Sequence, residues 1–130
     1  MKSISALVLA AMMAGGCASA SSAPSPAGRQ AVLAPIDGLE VRVLESAPPQ
    51  YVVNVRAGLP GGCAERNRYE VARADQLITV TVLNWLPAGN PICTAIYGSY
   101  ELTIDLGRDF RSGTTYSVNV NDKKTTFVAG

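Results

Sequence analysis

The chain has 130 residues, of which 48% are hydrophobic, 6% aromatic and 16% charged, and its formal net charge is +1. This length fits one domain and excludes enzymes that close two lobes on a substrate. A charged fraction below the usual ~25% argues against a disordered polyelectrolyte and against a nucleic-acid binder with a basic face. The sequence contains no histidine, so the commonest general acid–base and the commonest metal ligand are both absent.

Residues 1–16 are predicted to be a lipoprotein signal peptide. Lys2 supplies a positive charge, and the apolar run 4–13 is too short to cross a hydrocarbon core of ~30 Å as a stable helix. The small residues at positions 14–16 lead directly to Cys17. This arrangement resembles a bacterial lipobox, with alanine in the place usually held by leucine, and it implies cleavage before Cys17 and lipid on its thiol and amine. An ordinary secretory signal cut a few residues later is the alternative.

Residues 17–35 are predicted to be a flexible tether that begins at the lipidated Cys17. This stretch is rich in serine, alanine and proline and lacks the apolar period that burial requires. Ala18 does not resemble an inner-membrane retention signal, so the lipobox resemblance implies a cell-envelope protein held by its acyl chains. In a cell with two membranes it would sit on the outer membrane and face the periplasm. Cleavage also removes Lys2, which leaves no formal net charge and no expected attraction to nucleic acid.

From residue 38 onward apolar and polar residues alternate, which is the period of β-strands. The predicted strands are, in chain order, 39–43, 51–57, 69–71, 77–85, 96–106, 116–120 and a last strand through Phe127. Glycine, proline, asparagine and aspartate separate these segments. Seven short alternating strands predict an all-β domain over residues 36–130, a seven-stranded antiparallel β-sandwich, with a small barrel as the alternative.

The turn before Tyr116 resembles a turn of fibronectin type III and immunoglobulin-like domains. In those domains a leucine and a glycine precede a tyrosine that opens the next strand, as Leu106, Gly107 and Tyr116 do here. The resemblance implies an immunoglobulin-like fold in which the Tyr116 hydroxyl is a structural corner that ties back to upstream backbone.

The folded part as a whole resembles small bacterial lipoproteins that have no assigned activity. The motifs that carry this resemblance are Glu45-Ser46-x-Pro48-x-Gln50, Gly58-Leu59-Pro60-x-Gly62-Cys63 and the proline-containing loop to Cys93. The resemblance implies a compartment and an architecture, but no activity.

Two cysteines remain in the mature domain, Cys63 and Cys93. Outside the cytoplasm an even pair is most simply a disulfide. Because consecutive strands alternate in direction, the predicted loops 58–67 and 86–94 lie at the same end of the sandwich, and each contains one cysteine. A metal site would be two ligands short of a tetrahedron, and a redox pair would need Cys-x-x-Cys spacing at a helix start. We therefore expect a structural disulfide, worth about 3.6 kcal/mol from loop closure, and no metal site.

The end of the sandwich that carries the cysteines is the predicted binding site, because loops gathered at one end are where such folds bind partners. The candidate partner-binding residues in or beside these loops are Leu59, Arg66, Asn67, Trp85 and Asn90. An exposed Trp85 would be the natural anchor. The alternative is that this single tryptophan packs over the disulfide as part of the core.

The sequence supplies no set of catalytic residues. A serine triad lacks its histidine, and Glu101 and Asp105 lie about 13 Å apart along one strand, too far for either glycosidase geometry. We therefore expect a binding module without enzymatic activity or cofactor, which contacts an envelope protein through the disulfide-tied loops. The alternatives are a protease inhibitor that presents a loop beside Pro60 or Pro91, and a carbohydrate- or small-ligand-binding domain with Tyr97 as an exposed platform.

Overall fold

The computed structural model describes residues 28–89 and 91–130, which form two packed β-sheets. The strands of these residues are β1 (Arg29–Leu33), β2 (Ile36–Leu44), β3 (Gln50–Pro60), β4 (Glu65–Ala74), β5 (Leu77–Pro87), β6 (Tyr97–Gly107), β7 (Thr115–Val120) and β8 (Lys123–Val128). No helix long and apolar enough to cross a membrane is found in this part of the chain. The predicted signal peptide, Cys17 and Asn90 lie outside the described residues.

The larger sheet has five strands and the smaller sheet has three. In the larger sheet β4 pairs with one side of β5. On the other side of β5, β7 pairs with the first half of the strand and β1 pairs with the second half. β8 pairs with β7 and continues the sheet. The smaller sheet has the order β2-β3-β6. Because Arg66 of β4 lies over the ring of Tyr100 in β6, these two strands are the edges on the same side of the sandwich.

The structure corrects the start of the domain and the number of strands. β1 lies in the segment predicted to be tether, so in the part of the chain that the structure describes the sandwich includes Arg29–Leu33, before the expected boundary at residue 36. The described residues form eight strands where seven were predicted. β1 pairs antiparallel with β5, from Arg29 opposite Pro87 to Leu33 opposite Leu83. Most of its side chains are exposed. Main-chain pairing therefore holds this strand without the apolar alternation that would reveal it in the sequence.

The structure also corrects the prediction of purely antiparallel pairing. β7 runs parallel to β5, with Leu77 opposite Ser117 and Val80 opposite Val120. The intervening strand β6 crosses to the smaller sheet and reverses the chain, and β7 reverses it again on its return. Two reversals bring the chain back beside β5 in its original direction.

The core lies between the two sheets and is built from alternate residues of the central strands. Among the described residues, the apolar side chains that are at most 1% exposed are Val53, Val55, Ala57, Ile78, Val80, Val82, Ile104, Val118 and Val120. Nearly all are β-branched, a class that packs well on a pleated surface. Each buried Val or Ile contributes about 1.5–3 kcal/mol relative to an exposed one. The inward positions of the predicted alternation in these strands are thus the positions that form the core.

One end of the sandwich is filled by four aromatic rings, and we call it the aromatic end. Tyr51, Phe110, Tyr116 and Phe127 form five pairs with ring centroids 4.7–5.5 Å apart. The hydroxyl of Tyr116 accepts a hydrogen bond of 2.8 Å from the backbone N–H of Arg111. Apolar contact thus closes this end from within the chain.

Candidate functional site

The opposite end, which we call the cysteine end, is tied by a disulfide. Cys63, between β3 and β4, is bonded to Cys93, between β5 and β6, which confirms the predicted pair. The N–H of Gly62 also donates to the carbonyl of Thr94 over 2.8 Å. A Cβ atom on Gly62 would overlap the Thr94 hydroxyl, so the close approach of the two connections requires glycine at this position. The covalent bond and this contact together hold residues 91–96 against the β3–β4 turn.

Residues 91–96, which we call the display segment, belong to no strand, and every one of them is exposed. Ile92 is 102% exposed and Ile96 is 70% exposed. Single apolar side chains on a surface are ordinary, but two on one covalently fixed segment offer apolar area that a partner can bury. This segment is the most prominent apolar feature of the cysteine end.

Trp85 lies beside the disulfide, half-buried and outside the core cluster. It pairs with Glu65 of β4 and Ala31 of β1 on the outward face of the larger sheet. Together with Cys63 and Arg29 it lines a shallow depression, and a salt bridge of 3.1 Å joins Arg29 to Glu65 at this place. Trp85 therefore covers the outside of the disulfide turn, and part of its ring remains accessible.

The loop between β3 and β4 is shorter than the predicted 58–67, whereas the loop between β5 and β6 keeps its predicted length and lies two residues later. β3 continues to Pro60 and β4 begins at Glu65, so Leu59, Arg66 and Asn67 are strand residues. Leu59 is half-buried opposite Gly98. Neighbouring residues of a strand face opposite sides of the sheet. Arg66 pairs with Asn84 on the inward side, whereas the adjacent Glu65 pairs with Trp85 on the outward side. The candidate binding residues in the described part of the chain therefore do not share one surface.

A polar network behind the display segment has no counterpart in the sequence predictions. The buried Asn84, 1% exposed, donates from Nδ2 to the carbonyl of Gly58 over 2.8 Å and accepts from the Tyr100 hydroxyl over 2.6 Å. The guanidinium of Arg66 lies 4.8 Å from the centroid of the Tyr100 ring. Burial raises the pKa of the Tyr100 hydroxyl, and the nearby charge of Arg66 opposes the shift.

This network joins β3, β5 and β6 just below the disulfide. Both ends of the Asn84 amide have a partner, so the network stabilises one arrangement of the three strands instead of leaving a desolvated group. The signal that could have found it is the polar Asn84 at an inward position of β5, following Val80 and Val82 in the alternation.

Tyr97 opens β6 at the cysteine end and is 54% exposed. Its hydroxyl donates to the carboxylate of Asp37, with oxygen–oxygen distances of 2.8 and 3.0 Å. This hydrogen bond is the main reason that the pKa of Tyr97 is raised. A Cβ atom on Gly58 would overlap the Tyr97 ring and hydroxyl, so glycine makes room for the ring. The aromatic side chain is thus held flat at the edge of the outer face of the smaller sheet.

A comparison with protein families gives one match. A family model described as the ORF11 beta-sandwich domain matches residues 53–129. No curated protein and no solved structure matches the chain. The matched range is more than half of the chain and runs from within β3 to the end of β8, so it contains both cysteines of the disulfide and the display segment.

Proposed function

The chain belongs to the ORF11 beta-sandwich domain family, and from its surfaces we propose that it is a non-enzymatic binding module of the bacterial cell envelope. The contact with a protein partner is made by the display segment. The observation that carries this proposal is the exposure of Ile92 and Ile96 on a segment fixed by Cys63–Cys93. A segment already held in one conformation loses less conformational freedom on binding than a free loop does.

The same site supplies enough apolar surface for a specific contact. Complete burial of one Ile side chain contributes about 1.5–3 kcal/mol, and the display segment carries both Ile92 and Ile96. Trp85 adds an aromatic ring on the adjacent outward face, where such residues commonly anchor interfaces. We place the partner's apolar pocket over Ile92 and its rim over Trp85.

We further propose that residues 1–16 are a signal peptide and that Cys17 carries the lipid anchor of the mature protein. In a cell with two membranes this anchor lies in the outer membrane and the domain faces the periplasm. The carbonyl of Gly28 accepts from the N–H of Ala88 over 2.7 Å, so the chain enters the domain beside the display segment. Residues 18–27 span at most about 35 Å when fully extended. The anchor therefore keeps the cysteine end near the membrane, and the partner is a protein exposed at that membrane surface.

The fold proposed for this module is immunoglobulin-like. Its support is the hydrogen bond from the Arg111 N–H to the Tyr116 hydroxyl, which links the tyrosine that begins a late strand to backbone a few residues upstream. The packing of Tyr116 against Phe110 and Phe127 adds to it. The anchoring role of Cys17 has its own test, because Cys17→Ser should prevent lipid incorporation and move the protein from the membrane fraction to the soluble fraction.

The binding role is tested by site-specific photocrosslinking of the full lipidated chain in native membranes. A photoreactive residue is placed at Ile92 and, as a matched control, at Val43, which is 51% exposed at the aromatic end. We expect one discrete protein adduct from position 92 and none of the same mass from position 43. Equal adducts from both positions, or none from position 92, would contradict the proposal.

A protease inhibitor is the second candidate, and one observation favours it. Ile92 is fully exposed between Pro91 and the disulfide-bonded Cys93, in a stretch outside any strand that a protease cleft could reach. An inhibitor of this type would insert Ile92 into an apolar specificity pocket. Stoichiometric inhibition of an elastase-like protease, lost in Ile92→Asp and retained in Val43→Asp, would establish it. If the protein does not inhibit the protease at an equimolar dose, the inhibitor proposal is contradicted and the binding module remains.

A further inference from the structure

β4 is a long edge strand that carries no neighbour on its outer side. Among the described strands it pairs with β5 alone. All of its residues except Asn67 are exposed. Such an edge presents unpaired N–H and C=O groups, which are a template for another strand.

The inward side of β4 is also left uncovered. Tyr69 and Val71 pair with Val82 and Val80, which are at most 1% exposed, yet Tyr69 and Val71 are each 44% exposed. The difference arises because the smaller sheet ends at β6 and does not extend over β4. The edge therefore offers both backbone groups and apolar side chains to an added strand.

The charges on β4 alternate about Tyr69. Arg68 and Glu70 lie on one face of the strand, with Nε of Arg68 3.2 Å from Oε1 of Glu70, and their side chains are 56% and 60% exposed. A strand with this pattern is complementary to itself when it is reversed about Tyr69. Charge complementarity of this kind identifies a second copy of the same strand as its partner.

We propose that β4 pairs antiparallel with β4 of a second copy, around a two-fold axis at Tyr69. In this register Arg68 faces Glu70 of the second copy, Glu70 faces Arg68, and Tyr69 faces itself, as an isologous contact requires. Registers centred on Arg68 or on Glu70 would place like charges directly opposite each other, which destabilises a strand pair. The charge pattern thus favours the register centred on Tyr69 over these two neighbours.

The irregular pairing between Arg66 and Tyr69 limits the contact to the central residues of the strand, because a bulge bends the strand and interrupts its ladder. The four charges around the axis then form a network, which stabilises more than isolated exposed pairs do. The dimer formed in this way is reversible and depends on salt.

The contact is tested first with a cysteine reporter in the full chain. In a pair centred on Tyr69 the two copies of residue 69 have Cα atoms about 4.5–5.5 Å apart, a separation that a disulfide can bridge. We expect Tyr69→Cys to give a covalent dimer under mild oxidation, with the 69–69 link identified by mass spectrometry. Val71→Cys is the matched control, equally exposed and on the same face, but it faces Asn67 of the second copy and should form no covalent dimer. No dimer with Tyr69→Cys, or equal dimer with both, would overturn the proposal.

A second test leaves Tyr69 in place and uses exposed charges that folding does not need. Arg68→Glu and Glu70→Arg each put like charges opposite each other, and in sedimentation equilibrium of the full chain each should weaken the dimer about tenfold. An equimolar mixture of the two variants should regain wild-type affinity. In the mixed dimer one copy carries a carboxylate at both positions and the other a guanidinium at both, so opposite charges again face each other across the axis. Unchanged self-association in the single variants, or no recovery in the mixture, would refute the register.

Discussion

The two ends of the sandwich are stabilised by different means. At the aromatic end, the rings of Tyr51, Phe110, Tyr116 and Phe127 contact one another, and the guanidinium of Arg73 lies 4.4 Å from the Phe110 centroid. At the cysteine end, a disulfide and a buried polar network take the place of such packing. The aromatic end thus packs its four aromatic rings against one another within the chain.

The cysteine end does the reverse, since a covalent bond maintains its shape without burying apolar surface. The display segment can therefore keep its shape although Ile92 and Ile96 are exposed to solvent. Exposed valines occur at the aromatic end as well, but Val43 and Val128 belong to strands β2 and β8. The comparison separates an end whose aromatic rings maintain the fold from an end whose exposed apolar residues we propose as the binding surface.

The largest expected effect is the loss of stability when the packing of the aromatic end is disrupted. Tyr51 is 5% exposed, and its ring contacts both Phe110 and Phe127. Tyr51→Ala should lower the free energy of unfolding by about 3–5 kcal/mol, the usual cost of truncating a buried aromatic residue. Equilibrium unfolding in urea measures the loss.

The matched control is Val43→Ala, which removes an exposed side chain from the same end and should change stability by less than about 0.5 kcal/mol. Below its unfolding transition, Tyr51→Ala should still give the adduct from position 92. Loss of that adduct in a folded variant would contradict the separation of the two ends.

The next effect is removal of the disulfide in the double variant Cys63→Ala/Cys93→Ala. The two residues are 30 positions apart, and a closed loop of that length is worth about 3.6 kcal/mol in the chain-entropy model. The variant should lose about that much stability in urea, and it should also give a weaker adduct from position 92 at temperatures where it is folded. The control is wild-type protein treated with a reductant, which should show the same loss of stability and the same weaker adduct as the double variant. An unchanged adduct would mean that preorganisation of the display segment does not matter for binding.

The sequence predicted the core well because β3, β5 and β6 alternate in hydrophobicity on a local scale. It missed β1, since that strand is held by main-chain pairing to β5 and most of its side chains are exposed. It also made the β3–β4 loop too long for the same reason. Leu59 and Arg66 lie beyond the clear alternation, yet they pair with Gly98 and Asn84 in neighbouring strands. Pairing partners distant in sequence leave no local pattern.

The candidate site was predicted in part. Cys63 and Cys93 could be paired from their number and from the alternating direction of the strands, which depend only on the order of elements. The network around Asn84 could not, because the carbonyl of Gly58 and the hydroxyl of Tyr100 meet it only when three strands pack together. The exposure of Ile92 is likewise a property of the folded loop.

The smallest effect is a pH dependence that differs between the ends. The Asp37 carboxylate raises the pKa of Tyr97 above its ordinary 10.0 mainly by accepting a hydrogen bond from the hydroxyl. The contribution of this contact to the stability of the folded state is therefore complete below pH 10 and is lost as the pH rises through the raised pKa of Tyr97. At the aromatic end, the N–H of Gly107 donates to Asp105 over 2.7 Å and is the main cause of its lowered pKa. The contribution of this hydrogen bond to stability is present above pH 3.8 and is lost as the pH falls through the lowered pKa of Asp105.

The two titrations can be followed separately. The ring NMR signals of Tyr97 report the cysteine end in alkali, and Asp37→Asn should move the Tyr97 transition to lower pH. The amide chemical shift of Gly107 reports the aromatic end in acid, and Asp105→Asn should abolish its acid transition. Both effects on stability should be small, since the groups are exposed and water screens their charges. Identical alkaline titrations of wild type and Asp37→Asn would show that the Tyr97–Asp37 contact does not hold the ring. The aromatic platform at the cysteine end would then be mobile, while the acid titration of the aromatic end would be unaffected.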